Sequence, residues 1–168
     1  ALWLVVRLDG GAGFYRQKRL CADGSTFDCL KLRTMVCNAD QVLEDYLAKD
    51  PEMRAEWDAL QKLKNDPRVT RLGALLRATS VDELPQLINV VTGDLSLVGP
   101  RPHVVNAVYS ETTPFEDLVD GYAARHRVLP GITGWAQING WRGEIDDPER
   151  LQRRVEHDLY YIENSTLW

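Results

Sequence analysis

The chain has 168 residues, 44% hydrophobic and 27% charged, with a net charge of −5. That length carries one domain with a real core, and the composition excludes a disordered segment. The acidic total argues against a general nucleic-acid binder.

Charge is uneven along the chain. Residues 1–38 hold six Lys/Arg (Arg7, Arg16, Lys18, Arg19, Lys31, Arg33) against three Asp (Asp9, Asp23, Asp28), a net of +3, which leaves −8 on the rest. Such a front faces anionic headgroups or binds phosphates, and ordinary solvated charge accounts for it as well. Cys21, Cys29 and Cys37 form no Cys-x-x-Cys pair and read as bystander thiols in a reducing compartment. With only His103, His126 and His157 beside them, no zinc site is expected.

In chain order, Ala1–Val6 is apolar and fits a short buried strand; no secretory signal or full membrane span is readable. Phe14–Leu20 and Thr26–Thr34 read as strands around the turn Ala22-Asp23-Gly24-Ser25. Asn38–Lys64 reads as helical, with Asp50 capping a second helix at Pro51. A short helix is expected over Val69–Ala78, and another from the Thr79-Ser80 break to Val91. Leu95–Val98 reads as a strand, Val104–Ser110 and Phe115–Val128 as helices, Pro130–Gly134 as a loop and Trp135–Ile138 as a strand. Pro148–Asn164 is a helix capped by Asp147, with Leu151, Val155, Leu159 and Ile162 in one stripe. The sum is one α/β domain of mixed α+β type: a small mixed sheet or hairpin with surrounding helices.

The chemistry concentrates at Ser80-Val81-Asp82-Glu83-Leu84-Pro85-Gln86-Leu87. Ser80 and Glu83 have capping-box spacing, and Asp82 falls in the expected first turn, where the helix dipole favours an exposed, ionised carboxylate. An ionised carboxylate is a competent nucleophile toward phosphorus, and arginines neutralise phosphate oxygens. Helix capping alone also explains an acidic pair at a helix start. Arg77 and Arg101 flank the pair, Arg101 between Pro100 and Pro102, which fix the backbone for a bidentate phosphate contact. A salt bridge to Asp94 or Glu83 is the other role for these arginines. Lys31 and Arg33 alternate with Leu30 and Leu32, so both project from one strand face, toward substrate or toward solvent. Gln137 and Asn139 share the face of the expected strand, placed to bond a nucleoside or sugar or to satisfy loop backbone.

Several long strings occur in fixed order: Lys31-Leu32-Arg33-Thr34-Met35, Asn65-Asp66-Pro67-Arg68, Asp82-Glu83-Leu84-Pro85-Gln86-Leu87, Gly99-Pro100-Arg101-Pro102 and Pro130-Gly131-Ile132-Thr133-Gly134-Trp135-Ala136-Gln137-Ile138-Asn139-Gly140. Over about Arg7 to Trp168 the chain resembles the bacterial sugar transferases, the monotopic phosphoglycosyl transferases. The tail, with Asn139-Gly140-Trp141-Arg142-Gly143-Glu144 and Arg154-Val155-Glu156-His157-Asp158-Leu159-Tyr160-Tyr161, resembles the undecaprenyl-phosphate glucose phosphotransferase branch. It departs from that branch at Asn164-Ser165-Thr166-Leu167-Trp168, where an aromatic residue usually follows the Asn.

The resemblance implies a membrane-associated enzyme at the cytoplasmic face of the bacterial inner membrane. It would move a sugar phosphate from a UDP-sugar to polyprenyl phosphate, with Asp82 as nucleophile and Glu83 as its partner and Mg²⁺ ligand. Lys31, Arg33, Arg77, Arg101, Gln137 and Asn139 would bind substrate. It also implies a re-entrant membrane helix upstream, of which Ala1–Val6 would be the last turns, and it puts some of Trp135, Trp141, Trp168, Tyr160 and Tyr161 at the membrane interface. Two other readings remain at this point: a Mg²⁺-dependent phosphohydrolase with an aspartyl-phosphate intermediate, and a non-catalytic membrane-surface module.

Overall fold

A computed structural model describes residues 2–8, 10–60, 63–103, 108–109, 113–143, 145 and 147–165. The expected mixed class holds: among the described residues helices alternate with three two-stranded sheets. The chain comprises two compact units, residues 1–15 with 30–85 and residues 16–29 with 86–168.

The first unit opens with helix α1 (Leu2–Arg7), so the apolar opening is helical and not a strand. Strands β1 (Phe14–Leu20) and β2 (Thr26–Leu32) form the expected hairpin, whose outer part, residues 16–29, belongs to the second unit. Helices α2 (Ala39–Lys49) and α3 (Pro51–Leu60) are separated at Asp50, whose Oδ1 accepts from the amides of Glu52 at 3.0 Å and Met53 at 3.2 Å. That is the cap expected where proline opens a helix. Helix α4 (Arg71–Ala78) is capped by Thr70, whose hydroxyl accepts from the Gly73 amide at 2.9 Å. It starts later than Val69 because Val69 is held in a bridge to Met35.

Val6, Leu32 and Leu76 are buried together, with Trp3, Leu72 and Val81 packed against them. Gly73 is required here. A Cβ at that position would lie 2.0 Å from the Thr34 carbonyl oxygen, so only glycine lets α4 approach the chain after β2 this closely.

The second unit holds α5 (Gln86–Thr92), β3 (Ser96–Val98), β4 (Val108–Tyr109), β5 (Thr113–Pro114), α6 (Phe115–Leu118), a 3₁₀ segment (Tyr122–Arg127), β6 (Gly131–Thr133), α7 (Trp135–Ile138) and α8 (Pro148–Asn164). β3 and β6 are parallel, pairing Ser96 with Gly131 and Val98 with Thr133. One core cluster joins Phe27, Cys29 and Leu95; a second joins Val119, Tyr122, Leu151 and Val155.

Four expectations fail in this unit. The described part of Val104–Ser110, Val108–Tyr109, pairs as a strand with Thr113–Pro114; residues 104–107 and 110 lie outside the described residues. The long helix over Phe115–Val128 is broken at Gly121, which adopts φ +81. Pro130–Gly134 supplies strand β6, not a loop. It does so because Gly131 packs directly on Gly99, where a Cβ would lie 2.2 Å from the Gly99 nitrogen. Trp135–Ile138 is a helix, not a strand; an apolar run of four residues has no period to decide between the two. By contrast, α8 spans the expected residues, and Asp147 Oδ1 accepts from the Glu149 amide at 2.9 Å.

Candidate functional site

The acidic pair lies in the first unit, and its local structure differs from a capped helix start. α4 ends with the Thr79 amide on the Leu75 carbonyl, and Ser80 then takes φ 57 in the left-handed region. A serine held there is locally strained. The turn it makes leads into a single 3₁₀ turn, Val81–Glu83, and places Val81 against the core cluster. The Ser80 side chain makes no capping bond, so the expected capping box is absent.

Asp82 is not the exposed carboxylate expected from a first-turn position: it is only 8% exposed. Burial, the largest influence, pushes its carboxyl above the ordinary aspartate value; Lys31 and Arg77 act in the opposite direction, while the neighbouring Glu83 adds to the rise. The expectation that a helix dipole keeps it ionised is therefore replaced. Ionisation of Asp82 depends on two cations, one from β2 and one from the last turn of α4.

The Ser80 amide donates to the Arg77 carbonyl at 3.2 Å, and Glu83 pairs with a cation from β2. Its Oε1 accepts from Lys31 Nζ at 2.9 Å, with the two side chains 15% and 19% exposed. Arg77 is exposed, and its Nε donates to the Thr34 hydroxyl at 2.9 Å, which fixes the near end of the guanidinium. The structure thus brings Lys31, Arg77, Asp82 and Glu83 together in one unit.

Arg33 has another occupation. Its Nε donates to Ala12 O at 2.8 Å and its Nη1 to Met35 O at 2.7 Å. Its Nη2 donates to Val6 O at 2.9 Å and also to Gly10 O. A guanidinium shared among four backbone carbonyls clamps this loop, an occupation that competes with a phosphate contact.

Arg101, Gln137 and Asn139 belong to the second unit. Gln137 and Asn139 do not share a strand face. Gln137 lies on α7, and its Oε1 is buried with no hydrogen-bond partner among the described residues. Asn139 follows the helix and donates from Nδ2 to the Trp135 carbonyl at 2.8 Å, so it serves backbone. Trp135 stacks on Tyr160 with ring centroids 5.9 Å apart, and both are partly exposed.

Sequence reasoning missed a buried polar network in this unit. Arg125 Nε donates to Asp158 Oδ2 at 2.7 Å, and the two side chains are 3% and 2% exposed. Arg125 Nη1 lies 3.2 Å from His103 Nδ1, which is also 2.5 Å from the Tyr122 hydroxyl. A guanidinium can only donate, so Nδ1 accepts and the imidazole is neutral with its proton on Nε2. Burial and the surrounding arginines hold His103 well below its ordinary value, in agreement. The signal available in the sequence was Arg154 and Asp158, three residues after Leu151 and Val155 and hence on the apolar stripe of α8.

Among the described residues no group of three or more His, Cys, Asp or Glu is placed to hold a metal. Mg²⁺ does not require one: it takes one or two carboxylates, completing its shell with water and substrate phosphate oxygens. Asp82 and Glu83 are the carboxylates that could supply such a set with a diphosphate, and Glu83 is the candidate ligand. Bound there, the ion would neutralise phosphate charge.

A sheltered acidic pair beside two cations is the candidate site of the first unit, and an arginine between prolines is the candidate of the second. The family model for bacterial sugar transferases matches residues 1–168, and the chain belongs to that family. It is 46% identical over 167 residues to a UDP-glucose:undecaprenyl-phosphate glucose-1-phosphate transferase of Escherichia coli (strain K12), covering 98% of this chain and 32% of that protein. It is likewise 46% identical to an undecaprenyl-phosphate galactose phosphotransferase of Salmonella typhimurium, covering 99% of this chain and 33% of that protein. The exopolysaccharide production protein ExoY of Rhizobium meliloti is 42% identical over 98% of this chain and 68% of its own length. The chain therefore spans about one third of the length of the first two.

Proposed function

We propose that this chain is the catalytic part of a phosphoglycosyl transferase that starts a glycan on a lipid carrier. The observation that carries this reading is the setting of Asp82, buried, next to Glu83 and within the fields of Lys31 and Arg77. The donor is a UDP-hexose. UDP-glucose is the reading the tail residues favour, and relatives named for glucose and for galactose match at the same identity.

Asp82 attacks the phosphorus that carries the sugar. An Asp Oδ–P bond forms, the P–O bond to the uridine-bearing phosphate breaks, and UMP leaves with the bridging oxygen and its electron pair. A phosphate oxygen of polyprenyl phosphate then attacks the same phosphorus. The P–Oδ bond breaks, Asp82 returns as a carboxylate, and a polyprenyl diphosphate sugar departs. Lys31 pairs with Glu83 and opposes the effect of burial on Asp82, and Arg77 and Arg101 are the arginines we propose for phosphate oxygens. Gln137 offers an acceptor to a nucleoside or sugar donor group.

We propose that the enzyme works at the cytoplasmic face of the bacterial inner membrane, where a nucleotide-sugar donor and a lipid acceptor meet. Among the described residues no helix is long and apolar enough to cross a membrane; we propose that this part of the protein meets the membrane at its surface. Exposed Leu87, Ile88 and Val91 on α5 and Leu97 and Val98 on β3 support it.

The test is UMP release from UDP-glucose with Mg²⁺, with and without polyprenyl phosphate. Sustained turnover should require the lipid, with no more than one UMP per enzyme without it. Lipid-independent release of inorganic phosphate or glucose phosphate would instead establish a phosphohydrolase, and no release at all would leave a surface module.

A further inference from the structure

The backbone of Pro100–His103 is held at every carbonyl. Pro100 O accepts from the Gly131 amide at 2.9 Å, Arg101 O from Arg125 Nη2 at 3.0 Å, Pro102 O from Arg19 Nη1 at 3.0 Å, and His103 O from the Leu20 amide at 3.4 Å. The four donors come from three parts of the second unit: β6, the 3₁₀ segment, and two adjacent positions on β1. Pro100 and Pro102 remove two φ freedoms in the same four residues. A surface loop carrying only a solvated arginine has no use for such restraint.

The bond to Arg101 O is the one that rests on a dedicated side chain at the centre of a buried network. Arg125 uses each of its nitrogens: Nε on Asp158, Nη1 on His103 and Nη2 on the Arg101 carbonyl. Asp158 supplies the charge that makes burial of the guanidinium tolerable. The neutral His103 ring, taking the Tyr122 hydroxyl and Arg125 Nη1 on one nitrogen, fixes the plane of the fork.

We propose that Arg125, held by Asp158 and His103, is a positioning residue that presets the Arg101 backbone for binding the donor diphosphate. The inference rests on the role given to Arg101 above and adds the device that makes it work. A guanidinium gains bidentate phosphate contact cheaply only when its backbone is already in place. Arg125 itself touches no substrate; it acts through one carbonyl.

The test is a cycle in the full protein, reading donor KM, kcat and thermal midpoint with UDP-glucose. The variants are Arg101→Ala, Arg125→Lys and the double. Arg125→Lys keeps the charge and loses the reach of Nη2. It should raise donor KM roughly three- to tenfold, the scale of one lost hydrogen bond, with a smaller change in kcat. In the Arg101→Ala background the same change should do nothing further. Val155→Ala, a cavity beside the network, is the control for lost stability: it should lower the thermal midpoint and leave KM unmoved. Should Arg125→Lys leave too little folded protein, Tyr122→Phe removes only the hydroxyl on His103 and should move KM in the same direction by a smaller factor. If Arg101→Ala leaves KM unchanged, the reading of Arg101 fails. If Arg101→Ala raises KM while Arg125→Lys, or Tyr122→Phe in its place, is silent, equally effective without Arg101, or matched by Val155→Ala, the positioning role is overturned.

Discussion

Lys31→Met tests how the acidic pair is built. The substitution keeps most of the apolar stem and deletes the ammonium 2.9 Å from Glu83 Oε1. Removing one partner of a fully buried ion pair costs about 3–5 kcal/mol, because the other charge is left uncompensated. Lys31 and Glu83 keep 19% and 15% of their side-chain surface, so solvent relieves part of that cost and we expect about 2–3 kcal/mol. Adding Glu83→Gln should return much of the loss, since the stranded charge is then gone. The same variant acts on Asp82. Lys31 is the foremost opponent of the burial that raises the Asp82 carboxyl, so without it that carboxyl rises further. A reaction that needs ionised Asp82 should lose rate at neutral pH, and the acid limb of its pH–rate profile should move to higher pH. Denaturant titration gives the stability change and UMP release gives the profile. A loss under about 0.5 kcal/mol, the scale of an exposed pair, with an unmoved acid limb would refute the reasoning.

Asp82→Asn should stabilise the fold at neutral pH. A carboxyl whose folded value is raised binds its proton more tightly in the native state, so its contribution is full below the ordinary value of 3.8 and is lost as pH rises through the folded value. The variant's thermal midpoint should exceed the parent's at pH 7 and converge on it in acid; equal midpoints at both would contradict the burial of Asp82. Gly73→Ala should cost about 1–3 kcal/mol or more, because its Cβ meets a backbone oxygen that cannot rotate away, and a silent result in denaturant unfolding would disprove that approach of α4 to Thr34. Arg33→Lys should lose roughly 1–3 kcal/mol of stability through its unmade carbonyl contacts while the donor dissociation constant stays put; weakened donor binding at unchanged stability would restore Arg33 to the phosphate ligands.

Local signals carried much of the fold. Asp147-Pro148 and Asp50-Pro51 each combine a capping carboxylate with a first-turn proline, and both helix starts stand where those residues place them. The hairpin followed from two alternating runs around Gly24, which takes φ +80. What failed depends on distant partners. Gly131–Thr133, expected within a loop, is a strand because Gly99 and Gly131 let two backbones meet, and Trp135–Ile138, expected as a strand, is the helix that follows it. Within the candidate site, the identity of the acidic pair was legible and its environment was not. Ser80 looks like a cap in sequence and is a left-handed turn in space. Arg33 looks like a twin of Lys31, yet the carbonyls it binds come from residues more than twenty positions away as well as from Met35. The Arg125–Asp158 pair was hidden because a charged residue on an apolar helix stripe declares itself only when its partner is known.

The central claim is that Asp82 becomes covalently attached to a phosphosugar. Its most direct test is the intact mass of the protein after incubation with UDP-glucose and Mg²⁺ in the absence of acceptor lipid. The account predicts a mass increase equal to one hexose phosphate on the parent, none on Asp82→Asn, and loss of the adduct when polyprenyl phosphate is added. Turnover without any adduct, or an adduct that persists on the Asn variant, would contradict it.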